Sequence, residues 1–506
     1  MKVIVETKTG KIKGYEVDNL KIFKGIPYAE PPIGELRLNT PEPKKPWKGV
    51  LEATEYKPIA PQPPPLLNYF PPPPQSEEEC LNLNIWTPGC DNKKRPVLFW
   101  IHGGAHITGS GILMNGRNIS HRGDIVLVSI NYRLGPLGYL YIPGAPTNIG
   151  QLDQITALEW VHNNIEFFGG NPNNVTIFGE SAGGASVCTL LAMPKAKGLF
   201  HRAISQSGNV LANGFELSGR EPTTDIIMQE LNINDNDLDE FRRLPIEKLM
   251  GGFVSAQQKS FLNQKQLRIY PIIDNENLPK HPIKALQEGY AKDIELILGS
   301  NLEEWKFWRA FEPKFEEVEE AQIKNRITNL MRLAGEDEKK LEELIHTYKK
   351  SRDDIGLPIN IHETYEAYLT DSIFRIPAMK IAETQSNHQK NTYMYLFNWK
   401  TPFENGRFGA MHALEISFIF GSFWEEHLWL FPKKTPETKI LSNKMMDYWV
   451  SFARNGNPNF DDALKWPSYD IENRNTIIFD NKIEIVKDPL QLEREMWYNM
   501  KQWSQF

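Results

Sequence analysis

The chain has 506 residues, enough for one large, elaborated domain or for two or three domains of ordinary size. Hydrophobic residues make up 40% of the sequence, and the 11% of aromatic residues indicate a large core or an aromatic-lined cavity. The formal net charge is −7 without a basic stripe, so we expect no nucleic-acid partner. No apolar run approaches the roughly 18–20 residues of a membrane-spanning helix, and we expect no membrane span.

The cysteines and the first residues bear on the cellular compartment. Cys80, Cys90 and Cys188 form an odd set without regular spacing, which is not the pattern of a disulfide framework. Residues 1–7 alternate like a strand and contain no basic stretch that leads into an apolar one, so we expect no signal peptide. Together these features predict a reducing compartment and a cytoplasmic protein.

The chain opens with an alternating pattern that predicts an antiparallel meander over residues 2–24, with turns at Thr9-Gly10 and near Asp18-Asn19. Residues 58–74 are dense in proline, which excludes a helix or an inner strand there. This segment is either a stiff surface loop or recognition tract, or a wall of an active-site entrance, and its composition does not decide between these functions.

Short apolar runs, rich in Val, Ile and Phe and bounded by turn residues, predict the buried strands of a central sheet. These runs are residues 97–101, 125–130, 175–178, 294–298, 393–397 and 476–479. Helical patterns at residues 153–168 and 182–191 lie between some of them. Strands that alternate with helices predict an α/β architecture with a mostly parallel sheet flanked by helices.

Two later segments, residues 218–249 and 311–363, are polar, rich in lysine and patterned as helices. We expect a single domain over residues 1–506, with helical insertions around residues 211–290 and 305–370. Insertions of this kind form lids or the walls of a gorge.

Acidic and basic side chains alternate over residues 336–350. Glu336 and Lys340 would be one helical turn apart. The pattern is typical of a solvent-exposed helix face.

A nucleophile motif stands at the centre of the chain, where Gly179-Glu180-Ser181-Ala182-Gly183 follows the apolar run 175–178. Strand, Gly-x-Ser-x-Gly and helix in this order are the context of a nucleophile elbow. The turn is so tight that the residues two positions either side of the serine must lack bulk. It also places the serine at a helix N-terminus, where negative charge is favoured.

A glycine-rich turn, His102-Gly103-Gly104-Ala105-His106, follows the predicted strand 97–101. Backbone N–H groups of such a turn can converge on the carbonyl oxygen that becomes anionic during acyl transfer, and each is worth about 2.7–4 kcal/mol in the transition state. The N–H of Ala182, next after the serine, is expected to supply a further donor.

His102 and His106 also suggest a zinc site, because they are four residues apart. They lie in a glycine-rich turn, however, and no third ligand is in view. We therefore expect no metal.

In these motifs the chain resembles the carboxylesterase/cholinesterase family, and within that family it is most similar to bacterial carboxylesterases of the para-nitrobenzyl esterase type. The resemblance covers nearly the whole length, and it implies the α/β-hydrolase fold. Besides the elbow, the matching pieces are residues 24–29, 32–37, 80–84, 131–133, 148–154, 168–172, 205–208, 452–454, 456–458 and 466–467.

The resemblance also implies a catalytic triad with glutamate in place of aspartate. The family motif places this glutamate five residues after a glycine, and from Gly299 the register selects Glu304 over its neighbour Glu303. A carboxylate there can accept the Nδ1–H of the histidine and fix its tautomer.

The histidine follows in the order Ser, Glu, His. Five histidines come after Glu304, and His412 alone lies in a loop that opens onto an apolar run and matches the family motif. The charged segment around His346 suggests a solvated side chain. Nothing in the sequence supports a catalytic role for the other three histidines, His362, His388 and His427.

Residue by residue, the resemblance implies that the N–H groups of Gly104, Ala105 and Ala182 form the oxyanion hole. It further implies that Glu180 and Ser207 support the hydrogen-bond network of the triad. The sequence would be the same if Glu180 were a solvent-exposed side chain and Ser207 a buried structural residue.

The chain departs from the family pattern at three places. His106 stands where phenylalanine is usual, and we favour a packing role for it over one that tunes polarity. The disulfide of the extracellular members is expected to be absent, because Ala60 stands where the partner of Cys80 would be. The loop offers Tyr69 and Phe70 but no tryptophan, which argues against choline esters.

The implied reaction is ping-pong ester hydrolysis through an acyl-enzyme on Ser181, with His412 as base and then acid and Glu304 holding the imidazole. It needs no cofactor. The expected partner is a small-molecule ester of short-to-medium acyl length, and the protein is expected to be a monomer or a weak homo-oligomer.

Two other functions stay open. The family includes non-catalytic adhesion proteins, which lack the complete triad that this chain offers. The same machinery also suits an amidase, a carbamate hydrolase or a lipase.

Overall fold

The computed structural model describes residues 1–64, 72–208, 215–216, 222–233, 238–262, 267–426 and 428–501, with the backbone alone at 215–216 and 261–262. The chain packs into two compact units. The first unit comprises Met1–Glu295 and Trp449–Pro458, and the second unit comprises Leu296–Tyr448 and Asn459–Phe506. The expected single domain stays a prediction.

The strands of the first unit are β1 (Lys2–Thr7), β2 (Gly10–Val17), β3 (Leu20–Pro27), β4 (Val50–Glu52), β5 (Asn82–Thr87), β6 (Arg95–Ile101), β7 (Val126–Ile130), β8 (Gly170–Glu180), β9 (Arg202–Gln206), β10 (Phe215–Glu216) and β11 (Ile272–Ile273). Eight of them lie side by side in the order β1-β2-β3-β5-β7-β6-β8-β9, with β4 on β2, while β10 pairs with β11. The predicted meander is confirmed as β1, β2 and β3, which pair antiparallel.

The inner strands of the first unit carry the parallel part of its sheet. β6 pairs in parallel with β7 and β8, and β8 pairs in parallel with β9. All residues of β6 and β7 are buried, because helices cover both faces of a parallel sheet. The carboxyl ends of β6 and β8 therefore lie at one edge, where ligand sites of open α/β sheets are found.

The helices of the first unit are α1 (Arg117–Gly123), α2 (Gly135–Gly138), α3 (Ile149–Asn164), α4 (Ala182–Leu190), α5 (Pro222–Leu231), α6 (Leu238–Arg243), α7 (Ile246–Leu262) and α8 (Pro282–Gln287). α3 and α4 confirm the predicted helices next to the elbow. α5 to α7 fall in the region of the first expected insertion.

The second unit contains the strands β12 (Glu295–Asn301, whose first residue closes the first unit), β13 (Thr392–Phe397), β14 (Asn475–Phe479) and β15 (Glu484–Lys487). β12, β13 and β14 are parallel neighbours, and β15 is antiparallel to β14. Its helices are α9 (Glu320–Leu333), α10 (Leu341–Asp353), α11 (Ile361–Thr370), α12 (Ile376–Ser386), α13 (Leu414–Phe420), α14 (Pro436–Asn455, which ends in the first unit) and α15 (Gln491–Tyr498). The six predicted strands and the α/β architecture are confirmed.

The expected solvent-exposed face at Glu336 is wrong. Glu336 precedes α10 in an irregular segment, its side chain is buried, and its carboxylate accepts a hydrogen bond from the backbone N–H of Lys501. The charges at Glu336 and Lys340 have helical spacing, but α9 ends at Leu333, and Gly335 with its positive φ turns the chain out of the helix before Glu336.

In the part of the chain that the structure describes, no helix has the length and apolar character required to cross a membrane. All three cysteines lie in that part of the chain and are free thiols. Burial raises the pKa of the Cys188 thiol to about 12 and that of Cys90 likewise to about 12.

A buried ion pair anchors α3 to the loop after β7. The guanidinium of Arg133 donates two hydrogen bonds to Asp153, from Nε at 2.9 Å and from Nη2 at 2.7 Å, and its backbone N–H adds a third. The two side chains are 1% and 0% exposed. Removal of one partner would leave the other charge buried without compensation.

Arg133→Met is expected to destabilise the protein by about 3–5 kcal/mol, whereas Arg133→Met combined with Asp153→Leu recovers much of this loss. Urea unfolding followed by tryptophan fluorescence measures both effects. Lys482→Ala, which breaks an exposed pair with Glu484, serves as the control and costs less than about 0.5 kcal/mol. Equal midpoints for wild type and Arg133→Met would contradict the anchoring role.

Candidate active site

The elbow at Ser181 has the predicted strand–turn–helix geometry. β8 ends at Glu180, α4 begins at Ala182, and Ser181 between them has φ 57° and ψ −124°. A non-glycine residue in this region is strained and persists only where its surroundings hold it. Here the backbone N–H of Ser181 donates to the carbonyl of Gln206 at 2.9 Å, and its carbonyl accepts from Ala185 at 2.8 Å.

The two glycines of the motif are required by backbone packing, as predicted. A Cβ on Gly183 would overlap the carbonyl oxygen of Ile101 at the end of β6. A Cβ on Gly179 would lie 2.6 Å from the same oxygen and 2.6 Å from the carbonyl carbon of Gly183. Side chains at these positions would force β8 and α4 away from β6, and the turn would open.

The glycine-rich turn after β6 consists of three successive residues with positive φ: Gly104 (105°), Ala105 (56°) and His106 (59°). Among the described residues, none accepts a hydrogen bond from the backbone N–H of Gly104 or Ala105. As the first residue of α4, Ala182 also has an N–H that helix geometry leaves without an intrahelical acceptor. Donors of this kind are available to an anionic oxygen.

Gly103 lies against Ser181, a contact that the sequence analysis did not single out. A Cβ built on it would lie 3.0 Å from the Cβ of Ser181 and 2.6 Å from the carbonyl oxygen of Glu180. The turn therefore passes directly over the nucleophile, and the absence of a side chain makes this approach possible. The two adjacent glycines in the sequence indicate this close approach, but the family resemblance implies a role for Gly104 alone.

Neither histidine of this turn has the setting of a metal ligand. The ring of His106 is buried and packs 4.4 Å from that of Tyr139, which confirms the packing role. Burial lowers the pKa of His106 to about 3 and that of His102 to about 4, so both rings are neutral. Within the described residues, no group of three or more His, Cys, Asp or Glu side chains could hold a metal ion.

Glu180 and Ser207 lie at the same edge of two neighbouring parallel strands. Glu180 pairs in register with Gln206 of β9, and Ser207 follows directly. Both side chains are buried, so Glu180 is not a solvated glutamate. Their roles in the triad network stay predictions.

The second unit brings Glu304 and His412 together. Nδ1 of His412 lies 2.6 Å from Oε2 of Glu304, and the backbone N–H of His412 donates to the Glu304 carbonyl at 3.2 Å. The other carboxylate oxygen accepts from the backbone N–H of Asn301 at 2.7 Å. With Glu304 0% exposed, the carboxylate fixes the imidazole tautomer that carries its proton on Nδ1.

Glu303, which the family motif does not select as the triad glutamate, instead binds the histidine loop, residues 409–413. Its carboxylate accepts from the backbone N–H of Ala410 at 3.0 Å and pairs with the Lys306 ammonium at 2.6 Å. Burial on its own would raise the pKa of Glu303, but the Lys306 charge and these hydrogen bonds outweigh it and lower the pKa to about 2. The Glu-x-x-Lys spacing in the sequence indicates this ion pair.

Aromatic rings surround His412 in the second unit. The centroids of Phe374, Trp308 and Phe307 lie 4.8, 5.4 and 5.7 Å from that of the imidazole, and Trp429 packs 4.6 Å from Phe307. Their position supplies an apolar environment for a substrate group that meets the histidine.

Three further aromatic residues divide between the core and the surface. Phe418 is fully buried and packs against Phe397 and Trp399. Trp305 stacks on Trp308 at 4.3 Å, and Phe311 is 39% exposed.

The other histidines that follow Glu304 lie in surroundings typical of surface or structural residues, as far as the structure describes them. His346 and His388 are exposed, and Nε2 of His362 lies 2.8 Å from the carbonyl oxygen of Val318. His427, Tyr69 and Phe70 lie outside the described residues.

The predicted site residues thus fall into two groups. Ser181, the three oxyanion donors, Glu180 and Ser207 belong to the first unit, and Glu304 and His412 belong to the second. Each group has the local geometry that acyl transfer requires of it.

Comparisons with known proteins agree with this geometry. A sequence model of the carboxylesterase family matches residues 1–497. The para-nitrobenzyl esterase of Bacillus subtilis (strain 168) is 37% identical over 98% of this chain and 99% of its own, and the phenmedipham hydrolase of Pseudarthrobacter oxydans is 31% identical over 96% and 97%. A crystal structure of a Geobacillus stearothermophilus carboxylesterase superimposes with a TM-score of 0.84 at 35% identity, covering 98% of this chain and 99% of that one.

The chain therefore belongs to the carboxylesterase family and has the α/β-hydrolase fold. It is a carboxylic ester hydrolase of the serine type, in which hydrolysis proceeds through an acyl-enzyme intermediate. The predictions of family, fold and ester hydrolysis are confirmed.

Gly183→Ala is expected to lower kcat for ester hydrolysis by about 100-fold or to prevent folding, because the added Cβ overlaps the Ile101 carbonyl and displaces the nucleophile. Steady-state kinetics on para-nitrophenyl acetate measures this. Gly251→Ala in α7 is the matched control, since nothing lies within 4 Å of its Cβ, and it keeps full activity. An active, folded Gly183→Ala would contradict the packing argument.

Proposed function

We propose that Ser181, His412 and Glu304 form the catalytic triad of this esterase and that its substrates are small esters with short-to-medium acyl groups. The observation that carries the proposal is the strained Ser181 at the tip of β8, with the turn of Gly103 passing over it. The 2.6 Å pair of Glu304 with His412 supports it, because a serine is a weak nucleophile without a base that a third group orients.

In the first half of the reaction, Nε2 of His412 takes the Ser181 proton as Oγ attacks the ester carbonyl. The N–H groups of Gly104, Ala105 and Ala182 receive the oxygen that becomes anionic. Glu304 stabilises the imidazolium and does not itself become protonated. His412 then protonates the leaving alcohol, and the acyl group stays on Ser181.

In the second half, His412 removes a proton from a water molecule that attacks the acyl-enzyme. The same donors hold the oxyanion again, and the acid leaves as Ser181 regains its proton from His412. Glu180 and Ser207, both buried beside the elbow, support the hydrogen-bond network of the triad. The cycle needs no cofactor.

The rings of Phe307, Trp308 and Phe374 around His412 favour apolar substrate groups over charged ones. Para-nitrobenzyl esters, for which the Bacillus subtilis relative is named, combine an aromatic group with an ester and are suitable candidates. We further propose one domain with two helical insertions, a cytoplasmic location, a monomer or weak homo-oligomer, and no nucleic-acid partner.

The wild-type protein is expected to hydrolyse para-nitrophenyl acetate and butyrate faster than the palmitate ester, and Ser181→Ala is expected to lose at least about 10⁴-fold in kcat. Release of para-nitrophenolate measures both. Ser386→Ala in α12, whose hydroxyl bonds only the nearby Glu383 carbonyl among the described residues, is the control and keeps full activity.

The same assay separates the alternatives. Full activity in Ser181→Ala would show that another residue is the nucleophile. A preference for palmitate that appears only above its solubility limit would indicate a lipase instead.

A further inference from the structure

A glutamine in the proline-rich segment binds the backbone behind the oxyanion turn. The side-chain amide of Gln62 donates from Nε2 to the carbonyl of Gly109 at 3.0 Å, and its Oε1 accepts from the N–H of Gly109 at 2.8 Å. One side chain thus satisfies both polar groups of a single residue, as a neighbouring β-strand would.

Gly109 is packed directly against the turn that passes over Ser181. Its φ is 110°, and a Cβ on it would overlap the Gly103 carbonyl and lie 2.5 Å from Nδ1 of His102. The carbonyl of Gly104 accepts from the N–H groups of both Ile107 and Thr108 at 2.9 Å, which closes the turn between Gly104 and Thr108, the residue directly before Gly109. A shift of Gly109 therefore moves the residues that carry the oxyanion donors.

The turn needs such an external anchor because its own backbone is strained. Three successive residues have positive φ, and two of them, Ala105 and His106, are not glycine. On the other side of Gly109, the N–H of Gly111 donates to Oδ1 of Asn131 at 2.8 Å. Gln62 supplies the corresponding bonds at Gly109 itself.

Gln62 is held in place by the other end of the proline-rich segment. Its backbone N–H donates to Oε1 of Gln75 at 2.9 Å, and Ile59 forms a β-bridge with Gln75. Its Nε2 also donates to the Ala60 carbonyl at 3.1 Å. The chain on either side of the segment is therefore joined by hydrogen bonds, which hold the backbone of Gln62 in place and orient its amide toward Gly109.

We propose that Gln62 is a positioning residue for the oxyanion hole: it holds Gly109, and through it the N–H groups of Gly104 and Ala105, in the orientation that stabilises the anionic oxygen. This role rests on the proposed function of those donors. A glutamine is required because a leucine, a methionine or a glutamate cannot both donate to the Gly109 carbonyl and accept from its N–H. Gln62 is then part of the catalytic architecture, although it lies in a proline-rich stretch of the sequence.

The test compares Gln62→Met and Gln62→Glu with wild type in three measurements: kcat and KM on para-nitrophenyl acetate, the Ki of an aryl trifluoromethyl ketone, and the melting temperature. The ketone is attacked by the serine to give a hemiketal whose oxyanion occupies the hole, so its Ki reports on the donors directly. We expect kcat to fall by about 10- to 100-fold and Ki to rise by a similar factor, with KM changed by less than about 3-fold. Gln62→Glu, which keeps the acceptor for the Gly109 N–H, is expected to retain more activity than Gln62→Met.

Asn459→Leu is the matched control, because the Asn459 amide makes the same two bonds to the backbone of Trp466, at 2.9 and 2.6 Å. It is expected to lower the melting temperature without a parallel change in kcat and Ki. A lower melting temperature with unchanged kcat and Ki in a Gln62 variant would overturn the proposal. If one Gln62 variant does not fold, the other decides by the same criterion.

Failure of this proposal can be distinguished from failure of the proposed function. Loss of activity in Ser181→Ala together with wild-type kcat and Ki in both Gln62 variants overturns the role of Gln62 alone. Retained activity in Ser181→Ala overturns the assignment on which it rests.

Discussion

Ser181 has a φ of 57° and a ψ of −124°, a strained backbone conformation that persists because three neighbouring chain segments hold it. β6 ends against Gly179 and Gly183, β9 receives the N–H of Ser181, and the glycine-rich turn crosses over the serine through Gly103. The parallel register of β6, β8 and β9 brings these segments to one edge of the sheet. Strain at Ser181 is thus maintained by the strands and by the turn that packs over it.

The same dependence on surrounding structure holds for the histidine loop of the second unit. The loop is bonded twice to Glu303, through the Ala410 N–H and carbonyl, and once to the Glu304 carbonyl through the His412 N–H. Lys306 neutralises Glu303 and itself pairs with Glu363 at 3.1 Å. Buried ion pairs contribute little net stability, but the loss of one partner is costly, so they are suited to fixing one loop conformation.

Much of this could be predicted from the sequence because local patterns determine it. The elbow was recognisable from Gly-x-Ser-x-Gly between an apolar run and a helical one, and resemblance to a family selected Glu304 and His412. The contacts of Gln62, Glu303 and Gly103 are with backbone that is distant in sequence, as between Gln62 and Gly109, so the local signals at Glu303 and Gly103 do not by themselves assign a role. Glu336 likewise has a distant partner, the backbone of Lys501, which a local pattern of charges does not show.

Covalent labelling with diethyl para-nitrophenyl phosphate tests the assignment of the nucleophile most directly. A triad serine attacks the phosphorus and retains the diethyl phosphoryl group, since that adduct resembles the transition state of acyl transfer. We expect intact-mass spectrometry to show one adduct per chain, peptide mapping to place it on Ser181, and loss of esterase activity in proportion to labelling. Inactivation with the adduct on another residue, or complete labelling of Ser181 with full activity retained, would contradict the mechanism.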